Sequence, residues 1–329
     1  MKSAFKAFMT ELIDYAGLFP PANLSMDDAI QNYLDYISGE DEWILSRFIC
    51  PASRLKDLDK YRDNFRLLKK PLHISFLSRA GKNSEDFING LNDDLQIVKE
   101  FKNAHGDKVS LDVFEAQFPD SLIEESNPVR VTEFLNQVAE VVESQKLVKL
   151  KPFYEGAFWG EWSKTIDALV EGISYHNVYV QSKPDHAYQS AGYKLRCGGA
   201  DPSVYPSPEQ AAKVIQTCKH HQVSLKATAG LHHPLRHFNK DEQVQMHGFI
   251  NIFGAGIIAQ YHDLKLNQIR SIVEDEEAKN FIFTDSHFKW NEFSVTTDQI
   301  QKARQRNIIS FGSCSFDEPL EDLQQLGLL

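Results

Sequence analysis

Two lysines stand inside short apolar runs, each with the same spacing to a glycine. The stretch "YKLRCGG" at 193–199 places Lys194 four residues before Gly198, and "SLKATAG" at 224–230 places Lys226 four residues before Gly230. Both runs read as strands, whose side chains alternate between faces. Alternation puts Lys194 and Arg196 on one face, opposite Tyr193, Leu195 and Cys197. In the second run Ser224, Lys226 and Thr228 share a face opposite Leu225 and Ala227. Burying a lone ammonium is costly, so such a lysine loses its proton, finds an acidic partner or does chemistry. On neighbouring strands about 4.8 Å apart the two amines would repel, leaving one neutral and nucleophilic toward a carbonyl carbon. The alternative is that each lysine pairs with a buried carboxylate such as Glu115 or Glu155.

Other residues supply the remaining roles in an imine reaction. Glu115 and Glu155, each near the end of a strand-like run, are the candidates for general acid and base. Arg196 carries a planar fork suited to a carboxylate or other anion. Thr228 faces the same side as Lys226. His232 and His233 would orient a substrate oxygen or relay a proton. His232, His233 and His237 also open a second reading, a metal-dependent hydrolase or isomerase, with His247 and the Asp285–His287 pair nearby. A third reading is a non-catalytic barrel that binds an anionic metabolite through Lys194, Arg196 and Lys226. No H-E-x-x-H, Walker A or G-x-S-x-G pattern occurs, and "FGAG" at 253–256 lacks the strand and helix of a dinucleotide site. Asp14, in "LIDYAGLFPP", is expected to cap or to lie on the surface, with a reach into the site as the alternative, within an extended segment packed on the fold.

These side chains need a scaffold that brings strand ends together. Strand-like runs near 43–50, 72–77, 109–116, 147–155, 177–181, 193–197, 223–228 and 308–313 alternate with stretches of helical periodicity. "SMDDAIQNYLDYI", "SEDFINGLNDDLQIVKEFKNA", "VRVTEFLNQVAEVVESQ" and "SPEQAAKVIQTCKHH" are the helices, the last with a serine cap followed by proline. Alternation of this kind predicts a (β/α)₈ TIM-type barrel, with a doubly wound open sheet as the alternative. "FIFTDSHFKWNEFSV" reads as a hairpin inserted before the last strand, roughly 281–296. The expected organisation is one domain over 1–329, with an N-terminal extension of roughly 1–40.

Three segments resemble the deoxyribose-phosphate aldolases, class I aldolase barrels with a Schiff-base lysine on the sixth strand and a second lysine on the seventh. "KLRCG" at 194–198 is similar to their sixth-strand K-x-x-x-G. "KATAG" at 226–230 resembles the seventh-strand motif, with Ala229 where the first of two glycines stands. "FGSCS" at 311–315 resembles the eighth-strand turn that holds phosphate. The resemblance implies that Lys194 forms the imine, that Lys226 tunes it or shuttles a proton, and that Gly312, Ser313 and Ser315 contact substrate. It also implies that no cofactor is needed. The chain departs from the family in three places. "VKLKPFYE" offers Lys149, Lys151 and Glu155 where the family has an aspartate on the fourth strand. "LHHPLRH" follows the seventh strand in place of arginine. Asp317 and Glu318 open the last helix, where acids compete with a phosphate. Over its full length the chain also resembles a bacterial family marked by "DYAGLFPPA", "LKATAGLHHP", "HGFIN" and "FGSCSFDEP", which carries no activity with it.

A formal charge of −11 argues against nucleic acid or an anionic membrane as partner. No apolar run of 18 residues occurs, and the four scattered cysteines form no C-x-x-C pair. The expectation is a cytoplasmic lyase or aldolase acting on a small carbonyl or anionic metabolite, with a homo-oligomer left open.

Overall fold

Strands buried on both faces read as nearly continuous apolar runs, and a single polar residue inside one marks the inner face of a closed sheet. The structure, a computed structural model, describes residues 1–147, 150–183, 189–199, 201–240 and 242–329. Among them are strands β1 Ile13–Tyr15, β2 Leu45–Pro51, β3 Leu72–Leu77, β4 Val109–Gln117, β5 Lys151–Glu155, β6 Gly192–Arg196 and β7 Ser224–Thr228. Short strands β8 His237–Asn239, β9 Val244–Met246, β10 Phe281–Phe283, β11 His287–Trp290 and β12 Phe293–Thr296 follow, and then β13 Ile308–Ser313. Eight of these close into a parallel barrel in the order β1-β13-β7-β6-β5-β4-β3-β2. The expected (β/α)₈ barrel is therefore the observed fold.

The chain groups into two compact units, one of Met1–Leu24, Asp28–Ser46 and Leu195–Leu329, the other of Ser25–Asp27 and Arg47–Lys194. In the second, helices Ser84–His105 and Pro128–Ser144 cover the outer face of the sheet. Tyr154 of β5 sits there among Phe87, Phe118 and Phe134. Its strand neighbours Phe153 and Glu155 must then face inward. In the first unit Phe311 of β13 stacks on Phe249 and packs against Phe253 of helix Phe249–Tyr261, so Ser310 and Gly312 face inward. Helix Pro208–His220 begins as its sequence dictates: Ser207 accepts from the Gln210 amide, Gln210 reciprocates, and Pro208 occupies the first turn.

Several boundaries differ from the sequence reading. The run 177–181 is the end of helix Trp162–Gln181 rather than a strand. Its β-branched and aromatic residues favour strands locally, but Ile166, Leu169, Ile173, His176 and Val180 bury one helical stripe. Asn177 exchanges both amide hydrogen bonds with the backbone of Ala191, fixing the start of β6. The missing eighth strand is β1, which lies inside the supposed N-terminal extension and pairs with β13 from Ile13↔Phe311 to Tyr15↔Ser313. The strand expected at 147–155 is described only as Lys151–Glu155; Lys149 lies outside the described residues. The insertion at 281–296 carries β10, β11 and β12 as a three-stranded antiparallel sheet, one strand more than a hairpin. Its Phe283 and Phe288 pack against Phe8 of helix Ser3–Met9. No described helix is long and apolar enough to cross a membrane.

Candidate active site

Within the second unit three strands bring three ionisable side chains to one point. Parallel register aligns Gln117, Glu155 and Lys194 across β4, β5 and β6, with Glu115 two residues earlier on the same face of β4. Lys194 Nζ lies 3.1 Å from Glu155 Oε2 and 3.3 Å from Glu115 Oε2. Ser75 of β3 donates to the other oxygen of Glu115 at 2.7 Å. None of the three charged side chains is more than 7% exposed. Glu155 closes β5, at the strand ends where barrel enzymes keep their chemistry, and Lys194, the middle residue of β6, is level with it. Lys151 opens β5 on the same face as Glu155, and its Nζ lies 5.4 Å from the Phe153 ring centroid. Burial, and then the Arg47 guanidinium, lower the Lys151 amine to about 8.

The second lysine has its own acid, in the first unit. Asp14 Oδ2 lies 2.8 Å from Lys226 Nζ and accepts from Ser310 Oγ at 2.6 Å. Asp14 is fully buried, and Lys226 and Ser310 are each 1% exposed. The sequence reading favoured a cap or surface role for Asp14 over a reach into the site; it is an inner-face residue of β1, aligned with Gly312 and Thr228. The expectation that mutual repulsion neutralises one lysine is thus replaced by carboxylate pairing at both. The alternative in which Lys194, Arg196 and Lys226 jointly clasp an anion loses two of its three cations to those ion pairs. Arg196 directs Nη1 to the carbonyl of Gly198 at 3.2 Å.

The matched glycines have a packing reason. The Cys197 amide donates to the Thr228 carbonyl at 2.8 Å, so the chains leaving β6 and β7 run in contact. A Cβ on Gly198 would stand 2.7 Å from the Cα of Gly230, and one on Gly230 would stand 2.5 Å from the Cys197 oxygen. Gly230 and Ala229 also adopt left-handed φ values of 64° and 57°.

Beyond β7 and β13 the loop residues pair with acids of the final helix, Asp317–Gln325. His232 Nδ1 lies 3.3 Å from Glu318 Oε2 and 3.8 Å from Cys314 Sγ. Burial alone would lower the His232 pKa, but the bonds to Cys314 and Glu318 outweigh it and raise the value to about 9. His233 Nδ1 meets Asp322 at 2.5 Å, and its ring packs edge-on against His237. His237 lies on β8 and turns Nδ1 to the Leu235 carbonyl. His247 accepts from Arg236 at Nδ1 and donates from Nε2 to Pro206. These directions break up the expected triad of His232, His233 and His237, and no three His, Cys, Asp or Glu side chains among the described residues form a metal-binding group. Ser315 Oγ accepts from the Glu318 amide, capping the final helix. Gly312 and Ser313 are buried at the end of β13.

No family model and no curated protein matches the sequence. The chain is similar to the crystal structure of the apo form of a putative deoxyribose-phosphate aldolase from Toxoplasma gondii ME49, at 9% identity and a TM-score of 0.46. That similarity covers 98% of this chain and 96% of the other.

Sequence reasoning named Lys194 from strand alternation, and Glu115 and Glu155 from their places near the ends of strand-like runs; the structure brings the three side chains together. It gave Asp14 the lesser weight and missed Ser75 and Ser310. Asp14 does stand between two apolar residues in "IDY", but a three-residue strand is too short for alternation to register.

Proposed function

We propose that the protein is a lyase of the aldolase type that acts on a small carbonyl compound through an imine on Lys194. The observation that carries this reading is the Lys194 amine held within 3.3 Å of two buried carboxylates, Glu115 and Glu155. An amine needs a base before it attacks a carbonyl, and an acid afterwards to expel water. One carboxylate takes a proton from the Lys194 ammonium. The nitrogen attacks the carbonyl carbon, and the carbinolamine hydroxyl recovers the proton and leaves as water. The iminium then draws the electron pair of the bond between the α and β carbons while a carboxylate takes the β-hydroxyl proton, releasing an aldehyde; the enamine left behind takes a proton at its α carbon, and water hydrolyses the resulting iminium to restore the lysine. Lys194, with Glu115 and Glu155 both at its amine, is the nucleophile in this reading.

Cyanoborohydride reduction in the presence of a panel of small aldehydes and ketones, followed by peptide mass mapping, tests it. The expected result is an irreversible adduct on Lys194 with at least one compound. An adduct confined to Lys151 or to surface lysines, or no adduct across the panel, would overturn it.

A further inference from the structure

At the strand starts of the second unit, away from Glu155, stands another polar cluster. Arg47 of β2, His73 of β3 and Lys151 of β5 lie within the first three residues of their strands. Ile49 pairs with Ser75, and Arg47 and His73 each stand two residues before one of these partners, so both share the inner face with Lys151. Where Ile74 pairs with Leu111 and Ser75 with Val113, the register of β3 and β4 skips Asp112. Such a bulge re-aims a side chain. Asp112 accepts from Arg47 Nε at 3.0 Å with one oxygen and from Nη2 at 2.8 Å with the other. Lys151 pairs on β4 with the neighbouring Val113. Among the described residues no carboxylate forms an ion pair with its amine, and the charge that acts on it is the Arg47 guanidinium. All four residues are half-buried, and Arg47 and Asp112 keep 21% and 33% of their side-chain surface in solvent, so the cluster is open. With the amine lowered to about 8, first by burial and then by Arg47, a share of it is unprotonated near neutral pH.

We propose that Lys151 is a modification site for carbon dioxide, which it holds as a carbamate beside Arg47. The Nζ lone pair attacks the carbon of carbon dioxide. A C–N bond forms, and the electron pair of one C–O π bond moves onto oxygen. Nitrogen then releases a proton to solvent. Amine and carbon dioxide thus become a carbamate anion and a proton, with no change of oxidation state. Carbon dioxide is small and uncharged, so it reaches a half-buried amine without the desolvation cost that an anion meets. Product charge favours this position over a lysine paired with an acid. The guanidinium that repels an ammonium attracts the carbamate, a carboxylate-like group suited to its planar fork. The other charged and titratable groups at the cluster are Asp112 from β4, which Arg47 holds, and His73 from β3, which acts on Asp112. The Phe153 ring, its centroid 5.4 Å from Nζ, supplies the apolar side of the cluster. Lys151 takes no part in the imine reading, so this inference does not depend on it.

Equilibration of the full-length protein with isotope-labelled bicarbonate at mildly alkaline pH, alkylation with triethyloxonium and peptide mass mapping test it. A free dipeptide in the same tube reports that trapping works. The expected product is a labelled ethyl carbamate on Lys151. Its occupancy should be at least about tenfold above that on exposed lysines such as Lys56 and Lys302, whose amines pair with Glu100 and Asp298. No label at Lys151 while the dipeptide is trapped, or equal label on Lys151 and those surface lysines, overturns the proposal on wild-type protein alone. Arg47→Met, in protein whose circular dichroism matches the parent, releases Asp112 to pair with Lys151 and is expected to lower its occupancy by about tenfold. Unchanged occupancy in that folded variant overturns the role of the guanidinium.

Discussion

At the scale of single residues, the two lysines show how the same sequence pattern leads to two different electrostatic settings. Lys194 stands between Glu115 and Glu155, so an acid and a base are both at hand for the proposed imine formation. Lys226 is bound to Asp14, which also accepts from Ser310. Removing one member of such a buried pair leaves a charge stranded. Asp14→Ala should therefore destabilise the fold by about 3–5 kcal/mol in urea denaturation, and adding Lys226→Met should recover much of that loss. Simple additivity of the two losses would show that the pair is not coupled. The sequence made the first setting legible and hid the second. Glu115 and Glu155 stand near the ends of recognisable strand-like runs, which is what singled them out. Asp14 sits in three strand residues, and only its partner β13 shows which way it points.

At the scale of elements, turn chemistry explains what the lysine motifs share. The glycine four residues after each lysine lets the chains leaving β6 and β7 touch, and so serves packing rather than catalysis. Ala229 stands in the left-handed region, which an L-residue other than glycine enters at a cost of about 1 kcal/mol. Ala229→Gly should raise stability by roughly that amount, whereas Gly230→Ala should lower it by more, because its methyl group would meet the Cys197 oxygen. Thermal and urea unfolding of the two variants check both signs, and a destabilised Ala229→Gly would contradict the account. Strong local signals were the ones the sequence made legible. The capping box at Ser207 and the long periodic helices at 84–105 and 128–144 lie where their patterns place them. The run at 177–181 was misleading because its strand-favouring residues lie at the end of a helix whose buried stripe continues through Val180. Tertiary burial outweighed local preference there.

At the scale of the whole molecule, two histidines shape stability against pH from opposite sides. His232 is raised from 6.5 to about 9 by Cys314 and Glu318 against the effect of burial, so its contribution is full below pH 6.5 and is lost as pH rises through 9. His247 is lowered from 6.5 to about 4, first by burial and then by Arg236, and its neutral ring is held between Arg236 and Pro206. Its contribution is present above pH 6.5 and is lost as pH falls through 4. Urea midpoints measured across this range should decline on both flanks, and His232→Gln should flatten the alkaline one. A midpoint that does not decline above pH 6.5 in the parent would contradict the His232 assignment. The barrel itself was legible from alternating strand and helix signals, although one strand was misplaced to a helix end and one was overlooked near the N-terminus. The central claim concerns which amine reacts. Reductive trapping with one productive aldehyde should be compared in wild-type protein, in Lys194→Met, and in Lys226→Met combined with Asp14→Leu so that Asp14 is not left without its lysine. The account predicts an adduct in the first and third proteins and none in the second; an adduct that survives Lys194→Met, or vanishes only when Lys226 is replaced, would contradict it.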